Sequence, residues 1–284
     1  MATSLGSITI GNVAFGNTAA IALALGNVAV WQKEEPTPAT GPWLCFTAED
    51  ADSTIQLKKV GSPNSISLET SKDGSTWTDY NWTDHTGDTL TLTDVGDKVY
   101  FRAKTENSTI STNASSYYMF VGTGKFAASG NIQSLLKADC SRTDALSYCY
   151  RSMFSGCTSL TQAPALPATT LASSCYNNMF YGCTSLTTAP ALPATTLASN
   201  CYQAMFGNCA SLTTAPALPA TTLASSCYQG MFFNCTSLAD APALPATTLA
   251  SFCYNNMFAG CTKLASIEVS FSAWDTTVAT NGWV

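Results

Sequence analysis

Apolar positions in the second half of the chain recur with the spacing of an amphipathic helix. In the representative segment 197–209 they follow the order i, i+3, i+4, i+7, i+8, i+11, and the residues are Ala198, Cys201, Tyr202, Met205, Phe206 and Cys209. This order places them on one stripe of a helix of about three turns. The pattern predicts a short helix that docks its apolar stripe on a neighbouring surface.

The same segment occurs five times at a constant interval. Cys-Tyr-x-x-Met-Phe begins at Cys149, Cys175, Cys201, Cys227 and Cys253, which is a period of 26 residues. The run Ala-Pro-Ala-Leu-Pro-Ala-Thr-Thr-Leu-Ala-Ser returns between these segments, and its threonines, leucines and prolines favour a short strand and a turn. Such periods are typical of solenoids, whose units bury their apolar faces against each other. We predict an α/β leucine-rich-repeat solenoid of 26-residue units over residues 123–284.

Two phrases give the repeats a family resemblance. Leu186, Ala189 and Ala191 follow the Leu-x-x-Leu-x-Leu order of a leucine-rich repeat. Met-Phe-x-Gly-Cys-Thr-Ser-Leu precedes a strand closed by proline. Residues 132–269 thereby resemble the BspA-like leucine-rich repeats of surface proteins of Bacteroidetes and their phages. The resemblance implies binding or adhesion without catalysis and without a cofactor.

The first 42 residues follow a different pattern. Gly-Asn pairs at Gly11, Gly16 and Gly26 separate short apolar runs, which predicts hairpin turns in a small β-meander over residues 1–33. So small a sheet is not stable alone, and we expect it to dock on another protein or on its own copies. Residues 34–42 are rich in proline and predict a stiff linker. Anchoring and oligomerisation are assigned to Ile8, Ile10, Phe15, Ile21, Leu23, Leu25, Val28, Val30 and Trp31.

Residues 43–122 alternate between apolar and polar positions. Runs such as Thr-Ile-Gln-Leu from Thr54 and Lys-Val-Tyr-Phe-Arg-Ala from Lys98 are separated by turn signals such as Lys-Asp-Gly-Ser from Lys72. Several short strands at this spacing predict a β-sandwich of immunoglobulin-like kind. The predicted chain is therefore multidomain, with a meander, a linker, a sandwich and a solenoid in that order.

Charge is scarce and unevenly placed. Only 11% of the residues are charged, the net charge is −6, and no Asp, Glu, Lys or Arg lies between Ser152 and Ala239. Such a surface does not attract a phosphate backbone, so we expect no nucleic-acid binding. The first residues carry no Lys or Arg, and Gly26 and Asn27 interrupt the apolar run. We therefore expect neither a secretory signal nor a membrane span.

Ten of the 12 cysteines are placed by the repeat. Their spacing does not suit disulfides, and we interpret them as buried thiols that fill small apolar spaces. There is no Cys-x-x-Cys, and the one histidine, His85, lies outside the repeats. We therefore expect no metal site.

Variation between the repeats is confined to the outward stripe of the predicted helix. A tolerant solvated surface accounts for much of it. Exposed aromatic side chains beside amides also suit stacking on sugar rings or contact with a protein patch. The candidate binding residues are Asn177, Asn178, Tyr181, Gln203, Gln229, Phe233, Phe252 and Asn255.

The aspartates of the predicted sandwich are the richest candidates for catalysis. A glycosidase needs two carboxylates about 5 to 10 Å apart. Most of these aspartates flank turn glycines, and turn chemistry explains them without catalysis. We therefore predict that the protein is not an enzyme. The residues concerned are Asp73, Asp79, Asp84, Asp88, Asp94 and Asp97.

The expected function is that of a non-enzymatic virion protein. An adhesin of the BspA-like kind carries an export signal, whereas a phage structural protein is assembled inside the host. The phrase from Leu25 to Trp31 is also similar to N-terminal segments of virion proteins from phages of gut Bacteroidetes. We expect a homo-oligomeric, trimeric head or tail fibre or decoration protein on the virion surface. Residues 1–33 would bind capsid or tail proteins, and the solenoid would bind a glycan or protein of the host surface.

Two alternatives remain open. One is a BspA-like adhesin on a bacterial cell surface. The other is a carbohydrate-active enzyme that carries the repeats as an accessory.

Overall fold

A computed structural model describes residues 41–272 and 279–282, together with the backbone of three strands between residues 12 and 33. These strands are β1 (Asn12–Phe15), β2 (Thr18–Leu25) and β3 (Val28–Lys33), and they form an antiparallel sheet in the order β1-β2-β3. Phe15 pairs with Thr18, and Leu25 pairs with Val28. Of the predicted anchor residues, Ile8 and Ile10 lie outside the described residues, and the other seven are described by their backbone alone.

Two larger sheets follow between residues 43 and 129. Their strands are β4 (Leu44–Ala48), β5 (Ser53–Val60), β6 (Leu68–Ser71), β7 (Thr78–Asp79), β8 (Trp82–Thr83), β9 (Thr86–Gly87), β10 (Leu90–Leu92), β11 (Lys98–Ala103), β12 (Tyr117–Thr123) and β13 (Phe126–Ser129). One sheet has the order β10-β5-β9-β8, and β12 also pairs with β5. In the other, β13-β4-β11-β6-β7 are neighbours.

The inner faces of these two sheets share one core. Alternation along β5 buries Ile55 and Leu57 and leaves their neighbours partly exposed, as expected for a strand with one covered face. The ring of Phe120 lies 4.8 Å from that of Phe46 and 5.3 Å from that of Phe101, which come from the opposite sheet. The two sheets are therefore packed face to face by their aromatic side chains.

The second sheet continues into the repeats. A short helix of the 3-10 type, Ile132–Leu135, follows β13, and the last strands are β14 (Asp144–Ala145), β15 (Leu160–Gln162) and β16 (Thr170–Leu171). β13 pairs antiparallel with β4 and parallel with β15. The ring of Phe120 stacks on that of Phe154 at 5.3 Å. The sheets and the first repeat thus share a continuous core.

The predicted α/β leucine-rich-repeat solenoid is wrong. The described residues contain no α-helix, and their secondary structure consists almost entirely of strands and turns. In place of the predicted helices, each repeat has a run of tight turns, which we call the turn segment and which in the second repeat covers residues 172–186. The fold class inferred from the sequence, a meander and a sandwich followed by an α/β solenoid, is therefore corrected to a chain of several β-sheets and stacked turns.

Alternate N–H groups of a turn segment have different partners. The N–H of Tyr176 donates to the carbonyl of Cys201 in the next repeat at 3.0 Å, whereas that of Asn177 donates to the carbonyl of Ser174 in its own turn at 3.3 Å. Every fourth residue has a positive φ, as at Asn178 (56°) and Gly182 (74°). One turn thus contains four residues, and the hydrogen bonds between repeats replace those along a helix axis.

The repeats stack as successive coils, and we call residues 141–272 the coil stack. Isolated parallel bridges join Gln162 to Thr188, Thr188 to Thr214 and Thr214 to Asp240. Tyrosine and phenylalanine rings form two columns along the stack, with centroids of adjacent rings between 5.3 and 5.9 Å apart. The N–H of Tyr254 donates to the carbonyl of Ala279 at 3.0 Å, so residues 279–282 continue the hydrogen bonding between coils.

The repeat cysteines lie inside this stack as buried thiols. The thiols of Cys183, Cys209 and Cys235 each donate to the carbonyl of a phenylalanine in the preceding coil at 3.0 to 3.1 Å. Burial raises the pKa of Cys209 to about 12. The thiols therefore act as small apolar fillers that also satisfy a backbone carbonyl.

Candidate ligand-binding groove

A shallow groove of about 390 Å³ crosses the outer surface of the turn segments. It runs over several coils at one position of the repeat. Six of the eight predicted binding residues line it, namely Asn177, Asn178, Tyr181, Gln203, Gln229 and Phe233. The coil stack therefore brings together side chains that are 26 residues apart in sequence.

Phe252 and Asn255 do not line this groove. Phe252 is 43% exposed, but it belongs to an earlier turn of its segment. Asn255 is only 7% exposed and lies beneath the surface. The groove therefore includes neither of the two residues that were predicted for it in the last repeat.

A row of hydrogen-bonded side chains, which we call the amide ladder, forms the floor of the groove and continues beyond it to Asn255. Asn177 Nδ2 donates to Gln203 Oε1 at 2.6 Å, and Gln203 Nε2 donates to Gln229 Oε1 at 2.7 Å. Gln229 Nε2 then donates to Asn255 Oδ1 at 3.2 Å. Arg151 begins the row, and its Nη1 donates to Asn177 Oδ1. Each coil contributes one side chain, so the ladder follows directly from the repeat.

The exposure of the ladder side chains differs from coil to coil: Asn177 is 3% exposed, whereas Gln203 and Gln229 are partly exposed. The turn that follows the ladder position in the second repeat buries Met179 and Phe180 and leaves Asn178 and Tyr181 partly exposed. The residue after each ladder position has a positive φ, for example Asn178 (56°) and Ala204 (51°). Asparagine and glycine adopt this conformation most readily, which fits their frequency there.

Arg151 fixes the direction of the ladder. A guanidinium group only donates hydrogen bonds, so Asn177 must turn its oxygen toward it. The amide nitrogen of Asn177 then faces Gln203, and the same order passes along the row. All ladder oxygens therefore face the Arg151 end of the groove, and all ladder nitrogens face the opposite end.

Two aromatic rings rise beside the amide ladder. Tyr181 and Phe233 occupy the same repeat position two coils apart, and Gly207 stands between them. A Cβ atom at Gly207 would lie 2.9 Å from the ring of Tyr181, so the glycine leaves room for this ring to lie over the middle coil. Phe233 is 36% exposed. The groove thus offers two aromatic rings, that of Tyr181 over the middle coil and that of Phe233 on the next coil.

Sequence reasoning missed four residues of the groove lining: Arg151, Ala204, Gly230 and Asn256. A signal was present, since each follows from aligning the repeats on Cys-Tyr-x-x-Met-Phe. Arg151 stands at the ladder position of the first repeat, and the other three occupy the next position. Without the coil geometry, however, the alignment does not show that these columns face a common space.

Of the aspartates considered for catalysis, Asp79 lies in strand β7, and the other five lie in the turns and loops between strands. Asp73 accepts hydrogen bonds from the backbone N–H groups of Thr76 and Ser75, which lower the pKa of its carboxyl group. Asp79 pairs with Lys104 at 2.7 Å. Asp88 accepts a hydrogen bond from Asn81 Nδ2 at 3.1 Å. These contacts give the carboxylates of Asp73, Asp79 and Asp88 a role in turns and surface pairs.

Comparison of the chain with protein-family models, with curated proteins and with solved structures gave no match. Within the described part of the chain, no helix has the length and apolar character needed to cross a membrane. The same residues contain no cluster of His, Cys, Asp or Glu suited to a metal ion. The groove is therefore interpreted from its own geometry and chemistry.

Proposed function

We propose that this protein is a non-enzymatic binding protein whose groove holds an extended sugar chain. The arrangement of two aromatic rings beside the amide ladder supports this proposal. Sugar hydroxyl groups both donate and accept hydrogen bonds, and a row of amides supplies both kinds of partner. The apolar C–H face of a pyranose ring packs well on an aromatic face such as Tyr181 or Phe233.

The spacing of the coils supports a chain ligand over a single sugar. Adjacent rings in the core columns are 5.3 to 5.9 Å apart, which is close to the advance per sugar in an extended hexose chain. One sugar would then lie over each coil. Tyr181 belongs to a coil two before that of Phe233, but its ring lies over the middle coil, so the two rings would contact neighbouring sugars of the chain.

We further propose that the coil stack is displayed on a virion by the N-terminal sheet. A sheet of three short strands is too small to be stable alone, which favours docking on a capsid or tail protein or in a homo-oligomer. The resemblance of the repeats and of residues 25–31 to proteins of Bacteroidetes and their phages supports the same assignment. Recovery of the protein in purified phage particles would support it, and recovery in a bacterial envelope fraction would favour a cell-surface adhesin.

Sugar binding is tested with the two groove aromatics. The double substitution Tyr181→Ser and Phe233→Ser should weaken binding of a responsive hexasaccharide by about tenfold or more, since aromatic residues are frequent hot spots of binding energy. An oligosaccharide array identifies the responsive ligand, and titration calorimetry measures the affinity. Phe252→Ser is the matched control, because it removes an exposed aromatic ring outside the groove. Equal affinity of the double variant and the control would contradict the proposal.

A further inference from the structure

One charge in the groove has no counter-charge. The chain has three arginines. Arg102 pairs with Glu69 at 2.6 Å, and Arg142 pairs with Asp144 at 2.8 Å. Within the described residues, Arg151 forms no ion pair, although it is partly buried. A charge that has lost part of its hydration is usually compensated by a partner of opposite sign, so this arginine is unusual.

The contacts of Arg151 leave part of its guanidinium group available. Nε donates to the carbonyl of Ala114 at 3.3 Å, and Nη1 donates to Asn177 Oδ1. Both acceptors are neutral. Its Nη2 has no protein acceptor within hydrogen-bonding distance among the described residues. Because Arg151 also lines the groove, these free N–H bonds are within reach of a ligand there.

The surroundings of Arg151 do not cancel its charge. No Asp, Glu, Lys or Arg lies between Ser152 and Ala239, which includes most of the groove. The ladder oxygens face Arg151, but aligned dipoles supply only a partial charge at one end. A net positive potential therefore remains at this end of an otherwise neutral groove.

We propose that the groove selects an acidic sugar chain and holds the carboxylate or sulfate of one sugar against Arg151. This proposal rests on the proposed function of the groove as a sugar-binding site. A guanidinium group binds two oxygens of one anionic group at once, and such charge-assisted hydrogen bonds are stronger than neutral ones. The remaining sugars lie along the amides and the two rings, where no further charge is required.

The position of Arg151 also orients the ligand. The cation stands at one end of the ladder, and the ladder itself has a single direction. A chain with an acidic sugar at one end therefore binds in one orientation, with its acidic end at the first coil. One anionic group in contact is sufficient, so affinity should fall only modestly as salt is raised.

The test compares three hexasaccharides of one linkage: a neutral β-1,4-glucan, its C6-carboxylated form and its C6-sulfated form. The wild type should bind one or both acidic forms about tenfold more tightly than the neutral form, as expected for an added charge-assisted contact. Arg151→Gln keeps an amide donor for Asn177 and removes the charge. This variant should lose the preference, so that it binds the acidic and the neutral chains with equal affinity. The carboxylated and sulfated arms show which anion is preferred.

Lys263→Gln is the control, because it removes an exposed positive charge of the coil stack outside the groove. It should leave all three affinities unchanged, and thermal unfolding checks that Arg151→Gln remains folded. Equal binding of neutral and acidic chains by the wild type overturns this proposal but leaves sugar binding intact. An acidic preference that survives Arg151→Gln overturns the role of this arginine. If no hexasaccharide of this set or of the array binds, the proposed function fails and this proposal fails with it.

Discussion

The two sheets and the coil stack solve the packing of aromatic side chains in different ways. In the sheets, rings meet edge to face, as Phe46 and Phe101 do with an interplanar angle of 87°. In the coil stack, rings lie parallel, as Phe180 and Phe206 do with an angle of 3°. Equivalent residues of successive coils have equivalent neighbours, and their rings are nearly parallel at a constant spacing. The difference shows that repetition in sequence converts irregular packing into ladders.

Polar interactions also differ between the two regions: they are individual pairs in the sheets and repeated rows in the coil stack. The sheets use charge pairs such as Arg102 with Glu69, each specified by two particular residues. The coil stack has almost no charges and uses backbone hydrogen bonds between coils and a row of amides. Each coil contacts only its neighbours, so its stability is a sum of similar steps. A groove whose lining positions recur once per coil is a direct product of this construction.

The largest effect that would test this comparison is expected at the centre of a ring column. Phe206 stacks between Phe180 and Phe232 and is fully buried. Phe206→Ala should lower the free energy of unfolding by about 3 to 5 kcal/mol. Because coils interact with their neighbours, hydrogen exchange should rise mainly in the flanking coils and much less in strands β4 and β11.

Phe101→Ala is the matched substitution in the sheets. Phe101 is as buried as Phe206, but it lies outside the repeats. It should raise exchange in both sheets first. Identical exchange profiles for the two variants would show that the sheets and the coil stack unfold as one unit, against the nearest-neighbour description.

The buried cysteines at one repeat position test whether successive coils are equivalent in energy, with a smaller expected effect. Cys183, Cys209 and Cys235 make the same hydrogen bond at 3.0 to 3.1 Å and are fully buried. Replacing any one of them by alanine should lower the free energy of unfolding by about 1 to 2 kcal/mol, because it leaves a small cavity and removes the hydrogen bond to the phenylalanine carbonyl. Denaturant unfolding of the three variants should agree within about 0.5 kcal/mol, the usual limit of additivity for independent sites. A larger spread would mean that the coils are not equivalent in energy.

The sequence reveals the period and the inward positions of the repeats but not their backbone. Cys175, Tyr176, Met179, Phe180 and Cys183 fit a period of four as well as the roughly 3.6 residues of an α-helix, and over two turns the two differ by less than about one residue. The deciding signal is the residue type at every fourth position. Asn178 and Gly182 are poor helix formers that tolerate a positive φ.

The groove was partly predictable for the same reason. Variable amides and aromatics mark the outward positions, so Tyr181 and Phe233 could be selected from sequence alone. Alignment of the repeats places Arg151 at the ladder position, but its contact with Asn177 depends on how one coil sits on the next. In the sheets, the alternating runs from Thr54 and Lys98 lie in β5 and β11, but the sheet order depends on contacts far apart in sequence.

The smallest expected effect concerns the turn backbone itself. Ala204 has a φ of 51°, whereas the equivalent residue of the next coil is Gly230, with a φ of 62°. Because a side chain with a Cβ is strained there, Ala204→Gly should stabilise the protein by up to about 1 kcal/mol. Ala198→Gly in the same coil is the control, since Ala198 does not have a positive φ and glycine there should destabilise by about 0.5 to 1 kcal/mol. Thermal unfolding measures both. The two stability changes should have opposite signs because only Ala204 occupies the positive-φ position of a four-residue turn. In an α-helix both glycines would destabilise. Loss of stability in both variants would therefore contradict the turn backbone.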